Sequence, residues 1–213
     1  ELGYNSVIIA NGIEPTFFQK KTQVIKDKKK FNIIQIGRLE YYKKGHDLII
    51  EACKLLINQN ITNFSVDFIG TGKDEGYLKS MVSKYGLDNY ISFLGPKSPS
   101  YIQNKLRDYD LYVQPSRIEG FGLTVAEAMA AKVPVLVSGQ EGPMEIIDHG
   151  KYGFYFQNEN VEELANRIIE IINMDDSFLK DLTNKALERL KTSYSVKRTA
   201  NEYLLLYKNM NKF

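Results

Sequence analysis

The residues best equipped for chemistry fall in two stretches. The first is Gly37-Arg38-Leu39-Glu40-Tyr41-Tyr42-Lys43-Lys44-Gly45, directly after an apolar run. A glycine at the end of such a run lets backbone come close to a ligand. Arg38 presents a planar fork of donors that matches phosphate oxygens, and Lys44, or its neighbour Lys43, presents a mobile point charge. Taken alone, two cations in a loop read first as solvated side chains and only second as a phosphate site. The second stretch runs from Gln114-Pro115-Ser116-Arg117-Ile118-Glu119 through Gly120-Phe121-Gly122 to Leu123-Thr124-Val125-Ala126-Glu127-Ala128-Met129-Ala130. Here two glycines bracket a phenylalanine just before a run of good helix formers. A helix beginning there leaves the N–H groups of Leu123 and Thr124 without intrahelical partners. Helix starts carry roughly half a positive charge and hold phosphate readily. Glu119 lies on the loop and Glu127 about one turn into the helix, so the pair is spaced to meet different parts of one extended ligand. Spacing fits equally well a loop carboxylate and a surface helix residue.

Other patterns are weaker. Gly70-Thr71-Gly72-Lys73-Asp74-Glu75-Gly76 nearly spells the dinucleotide fingerprint, but its third glycine arrives one residue late and on the third βα turn. That places a tight packing turn ahead of a nicotinamide-dependent oxidoreductase. No G-x-x-x-x-G-K-[ST] phosphate loop occurs. Asp108-Tyr109-Asp110 invites a metal reading, but Asp110 closes a helix and opens a strand, where a cap is expected. His46 opens a helix and His149 precedes a glycine turn, so both are expected to be exposed. The single cysteine, Cys53, sits among Leu48, Ile49, Ala52, Leu55 and Leu56 at the spacing of a buried helix face. One cysteine provides neither a disulfide framework nor a zinc cluster, and no Ser/His/Asp or Cys/His set assembles.

These loops need elements to hold them. Short apolar runs alternate with amphipathic stretches throughout. Strands are expected at Val7–Ala10, Phe31–Gly37, Ser65–Ile69, Ile91–Leu94, Leu111–Gln114, Val133–Val137 and Gly153–Phe156. Helices are expected at Asp47–Asn58, Glu75–Tyr85, Ser100–Tyr109, Thr124–Ala131, Val161–Ile172, Ser177–Thr192 and Val196–Met210. Continuous Ile, Val and Leu runs are how strands buried on both faces read. Strand–helix alternation implies right-handed crossovers. The expected fold is a doubly wound, Rossmann-like parallel α/β sheet over residues 1–213. Ligands of such sheets bind beyond the carboxyl ends of the strands. The three terminal helices have no strand after them and are free to pack on the sheet or reach toward a second domain.

Composition limits the alternatives. The 213 residues carry 28 basic and 26 acidic side chains, a net charge of +2, with 43% hydrophobic residues. Such a balance creates no field suited to nucleic acid. The one basic cluster, Lys26 to Lys30, reads as a solvated loop, with contact to an anionic membrane surface the minority reading. No apolar run is long enough to span a bilayer. The opening Glu1-Leu2-Gly3-Tyr4 has neither a start methionine nor a signal peptide, as an excised piece would.

Taken in order, these motifs resemble the C-terminal, donor-binding domain of glycosyltransferase family 4, the "group 1" retaining transferases of the two-domain B-type fold. Ile8-Ile9-Ala10-Asn11-Gly12-Ile13-Glu14 is similar to that family's entry strand and turn. Gly37-Arg38-Leu39 with a following Lys-Gly is similar to its phosphate loop. Glu119-Gly120-Phe121-Gly122 through Glu127 matches its two glutamates separated by seven residues, and Val133-Pro134-Val135 and Gly142-Pro143-Met144-Glu145-Ile146-Ile147 follow in order.

The resemblance implies transfer of a hexosyl group from a nucleotide diphosphate-sugar to an acceptor hydroxyl, with retained configuration and without a metal or other cofactor. By it, Arg38 and Lys44 meet the diphosphate, and the N–H groups of Leu123 and Thr124 the distal phosphate. Glu119 and the backbone of Gly120, Phe121 and Gly122 meet the sugar, and Gly37 lines the loop. Glu127 meets the ribose, and Gly95 and Pro96, beside Lys97, flank the base, with a slight lean to UDP. It also implies an N-terminal acceptor domain absent from this chain and an acceptor glycan or glycolipid of surface polysaccharide assembly. The setting is then cytoplasmic, with peripheral contact at the inner membrane face. The loop from Arg38 to Lys-Gly is one residue longer than the family's common pattern, which leaves Lys43 beside Lys44 for the phosphate. A non-catalytic sugar-nucleotide module on the same scaffold is the alternative.

Overall fold

In Phe31–Ile36 (β1), Ile33 and Ile34 are neighbours that point to opposite faces, yet both are buried. A strand of this kind needs helices on both sides. The computed structural model, which describes residues 7–14, 30–139 and 141–210, provides them. Phe64–Ile69 (β2), Ile91–Gly95 (β3), Leu111–Gln114 (β4), Val135–Ser138 (β5) and Phe154–Phe156 (β6) join β1 in a six-stranded sheet of order β3-β2-β1-β4-β5-β6. Every pairing is parallel.

The pleat sorts side chains by face. Ile33, Leu111, Val113 and Leu136 join one core with His46–Asn58 (α2), Glu75–Lys84 (α3) and Val161–Ile172 (α7). Ile34, Tyr112, Val135 and Val137 join the other with Leu123–Ala130 (α5) and Asp176–Ser193 (α8). The doubly wound sheet read from the sequence is therefore present. Cys53 is fully buried, as its spacing predicts.

Tyr41–Lys44 (α1), Pro99–Lys105 (α4), Glu141–Ile146 (α6) and Val196–Met210 (α9) complete the helices of the described residues. Of these, α1 and α6 are too short for periodicity to reveal. The α4 boundary is local chemistry. Ser98 Oγ accepts from Tyr101 N at 3.2 Å, Pro99 sits in the first turn, and a 3₁₀ turn at Leu106–Asp108 follows. Among the terminal helices, α7 packs on α2 and α8 on α5.

Three expectations are corrected. Val7–Ala10 forms no strand: Val7 and Ile8 are 63% and 93% exposed, and the segment joins the fold through a bridge between Ile13 and Ser195, the buried Ile13 side chain and a hydrogen bond from Thr199 Oγ1 to Ala10 O. Leu111–Gln114 is therefore the fourth strand. Asp110 lies at the far end of the sheet from the glycine loops but caps no helix. Its Oδ2 accepts from Asn32 N at 2.9 Å while its own N–H donates to Asn32 O at 2.8 Å, clipping β4 to β1. His149 is exposed as expected, but His46 is fully buried, edge-on to Phe68 at 5.2 Å. Neither His46 nitrogen has a hydrogen-bond partner among the described residues.

Burial, with Lys44 adding, pushes the His46 imidazole down to about 3. The unfolded chain protonates His46 near pH 6.5, so between about pH 6.5 and 3 it binds more protons than the folded chain, and stability falls as pH falls. At pH 5 the loss is roughly 2 kcal/mol. Urea unfolding at pH 7 and pH 5 should show His46→Leu losing about 2 kcal/mol less than the natural chain. Equal losses would disprove the buried neutral imidazole.

Candidate active site

In a sheet of this order the crevice lies between β1 and β4, where successive connections leave in opposite directions. The loops following those two strands are the two stretches singled out by residue type. Several contacts tie one to the other. Gly45 is left-handed, with φ 68°, and a Cβ there would lie 2.0 Å from Pro115 O, so only glycine permits the approach. Arg117 N and Ile118 N donate to Lys43 O at 2.9 and 3.3 Å, while Gln35 Nε2 holds the first loop to its own strand by donating to Lys44 O at 2.7 Å.

Arg117, which no local signal in the sequence marks, does most of this joining. Its guanidinium grips both carboxylate oxygens of Asp47 on α2, at 3.0 and 2.7 Å. It also donates to Tyr41 O at 3.0 Å and to Glu159 at 2.5 Å.

With the loops joined, Lys44 Nζ sits 2.7 Å from Glu119 Oε2, and the two side chains are only 25% and 16% exposed. Lys43 turns to Glu40 at 3.7 Å and stays 56% exposed, so it is Lys44 that faces Glu119. Gln114 Nε2 donates to the same Glu119 oxygen at 2.8 Å. A Cβ on Gly37 would have Lys44 Cδ 4.0 Å away as its nearest neighbour. Arg38 remains 76% exposed, 3.5 Å from Glu40.

The helix start is open. Gly122, at φ 95°, precedes α5 and supplies no side-chain cap. The N–H groups of Leu123 and Thr124 have no acceptor among the described residues. Around Gly120 a Cβ would meet nothing within 4 Å, whereas Gly142 on α6 backs directly onto Gly120 O. Phe121 meets Tyr194 edge-on at 5.8 Å, so its ring holds the loop and its backbone is what borders the crevice. The Glu127 side chain, one turn along, has no ion-pair or hydrogen-bond partner among the described residues, and burial raises its carboxyl above the usual range. A half-buried carboxylate in that state is suited to accept from hydroxyls.

The structure thus brings Gly37, Lys44, Glu119, Gly120, Phe121, Gly122, Leu123, Thr124 and Glu127 to one crevice, with Arg38 on its exposed rim. Gly95, which ends the edge strand β3, and Pro96 just after it stand apart, two strands from β1 and so roughly 10 Å from the crevice.

The family model for group 1 glycosyl transferases matches residues 16–189. The chain belongs to the group 1 glycosyltransferases. An uncharacterized glycosyltransferase, MJ1607 of Methanocaldococcus jannaschii, is 29% identical over 94% of this chain and 53% of its own length. WcaL of Salmonella typhimurium, a putative colanic acid biosynthesis glycosyltransferase, is 28% identical over 76% of this chain and 41% of its own. Among solved structures, a TarM variant of S. aureus in complex with fondaparinux, alpha-GlcNAc-glycerol and UDP superposes with a TM-score of 0.81 at 25% identity, over 94% of this chain and 39% of that one.

This group 1 glycosyltransferase chain therefore spans about half the length, or less, of the relatives it matches. No helix among its described residues is long and apolar enough to cross a membrane.

Proposed function

We propose that the chain binds the nucleotide diphosphate-sugar donor of a retaining, metal-independent hexosyltransferase that serves surface polysaccharide or glycolipid assembly. One observation carries this reading: Lys44, Glu119 and the unpartnered amides that start α5 converge at the crevice between β1 and β4. Lys44 and Arg38 meet the diphosphate, and the N–H groups of Leu123 and Thr124 its distal phosphate. Charge developing on the departing diphosphate is then met by donors already in place, each worth about 3 kcal/mol in the barrier. Glu119, with the backbone of Gly120, Phe121 and Gly122, orients the sugar. Glu127 accepts from the ribose hydroxyls, and Gly95 and Pro96 lie within reach of the base along the rim.

Acceptor binding falls to a second domain outside this chain. The exposure of Tyr203, Leu204, Leu205 and Tyr207 on α9 supports that reading, because a solvated helix rarely shows so many large apolar groups together. The work would take place at the inner face of a membrane, with the protein held peripherally. The UDP in the TarM complex supports uracil as the base.

Calorimetric titration of the chain with UDP and with GDP tests the reading. UDP should bind with a sub-millimolar to millimolar constant, more tightly than GDP, and equally well in EDTA. Absence of any nucleotide binding at millimolar concentration would end it.

A further inference from the structure

Gln114 is the last residue of β4 and is 3% exposed. Its side chain lies between the two groups to which the proposed function gives separate tasks. On one side Gln114 Oε1 accepts from Thr124 Oγ1 at 2.9 Å, at the start of α5. Tyr112 OH lies 2.7 Å from the same oxygen and 2.6 Å from Thr124 Oγ1. On the other side Gln114 Nε2 donates to Glu119 at 2.8 Å. The amide has only one workable orientation. An ionised carboxylate accepts and cannot donate, so the NH₂ end must face Glu119 and the oxygen the hydroxyls. Tyr112 is fully buried, and burial raises its phenol, which keeps it protonated and able to donate into the network.

Two consequences follow. The Thr124 hydroxyl is turned inward, so at the helix start only backbone N–H groups are left for phosphate. Glu119 Oε2 accepts from both Lys44 and Gln114, which leaves Oε1 without a partner among the described residues.

We infer that Gln114 is a positioning residue that fixes the Glu119 carboxylate so that its second oxygen faces the donor sugar, linking sugar recognition to the helix start that holds the phosphate. This rests on the proposed function. It predicts that loss of Gln114 weakens recognition of the sugar and spares recognition of the nucleotide.

The test compares dissociation constants on the 213-residue chain for UDP against UDP-glucose and UDP-N-acetylglucosamine, and for GDP against GDP-mannose. Gln114→Leu keeps the volume and leaves Tyr112 and Thr124 to bond each other. It should leave the parent nucleotide within about twofold while weakening the sugar nucleotide about five- to tenfold relative to it. Gln114→Glu adds a readout that a packing role would not move. Beside Glu119 the introduced carboxyl holds a proton to unusually high pH, and the protonated form reproduces both amide contacts. The other titratable groups facing this position are Lys44, Tyr112 and Glu127. Gln114→Glu should therefore match the natural chain at pH 5.5 and Gln114→Leu at pH 8.5.

An unchanged sugar-to-nucleotide ratio in folded Gln114→Leu overturns the inference and leaves the proposed function standing. Should Gln114→Leu not fold, a pH-independent ratio in Gln114→Glu overturns it instead. If the natural chain binds no nucleotide, both fail.

Discussion

Lys44→Ala is expected to lower sugar transfer about a hundredfold, nearly all of it in kcat, when the protein is assayed with its acceptor-binding half present. The residue stands 2.7 Å from Glu119 before any donor is present. A diphosphate entering the crevice brings two further negative charges to the same ammonium group. On the proposed function, Lys44 would divide its donors in the ground state between carboxylate and phosphate. As the bond to the sugar breaks, the leaving diphosphate gains charge and draws more of that interaction, which is differential stabilisation of the transition state.

Losing the ammonium also strands Glu119, which would retain Gln114 as its one remaining donor among the described residues. Lys44→Arg should recover part of the rate, because the charge persists though its shape does not. Lys43→Ala is the matched control: a cation that is 56% exposed and paired with Glu40 should matter less than twofold. Wild-type kcat in Lys44→Ala, or an equal loss in Lys43→Ala, would remove Lys44 from the diphosphate.

Much of this arrangement could be read from the sequence, and the parts that could not have physical reasons. Apolar runs revealed β1, β4 and β5, whose neighbouring residues are buried toward opposite faces, while β2 showed through the alternation of Phe64, Val66 and Phe68 with Ser65 and Asp67. Val7–Ala10 has the same apolar character and forms no strand, since a run reports the wish to be buried and not what buries it. His46 misled because a polar residue at a helix start ordinarily meets water. The left-handed Gly45 instead folds the loop after β1 onto Pro115 and tucks the imidazole against Phe68. At the site, glycine spacing and the two glutamates were enough to pick out the helix start, because those features are local. Local spacing could not choose between Lys43 and Lys44, which are adjacent in a short helix and face different partners. Gln114 and Arg117 were passed over for a related reason. Arg117 takes its meaning from Asp47, 70 positions away, which only the folded sheet brings near, whereas the partners of Gln114 are close in sequence and it is the turn from β4 into α5 that folds them around its amide.

Arg117→Ala should lower the free energy of unfolding by about 3–5 kcal/mol. The guanidinium is 15% exposed and Asp47 12% exposed, so removing one partner leaves a carboxylate in a poorly solvated place. That carboxylate also adjoins Glu51, whose carboxyl is already raised by burial first and by Asp47 second. Arg117→Lys should recover less than half of the loss, because a point charge cannot serve two carboxylate oxygens, the Tyr41 carbonyl and Glu159 together. Asp47→Asn in the Arg117→Ala background should restore at least 1 kcal/mol by removing the stranded charge. Urea unfolding of the four proteins measures each step.

Nucleotide binding should fall further than stability alone accounts for. The same guanidinium holds the turn that carries Lys44 against the loop that carries Glu119, and without it the two halves of the crevice are left with the backbone bonds to the Lys43 carbonyl, the Gly45–Pro115 approach and the Lys44–Glu119 pair. A loss below 1 kcal/mol in Arg117→Ala, with UDP binding intact, would mean that the loops find their positions without this clamp, and that the geometry of the site is set by the sheet alone.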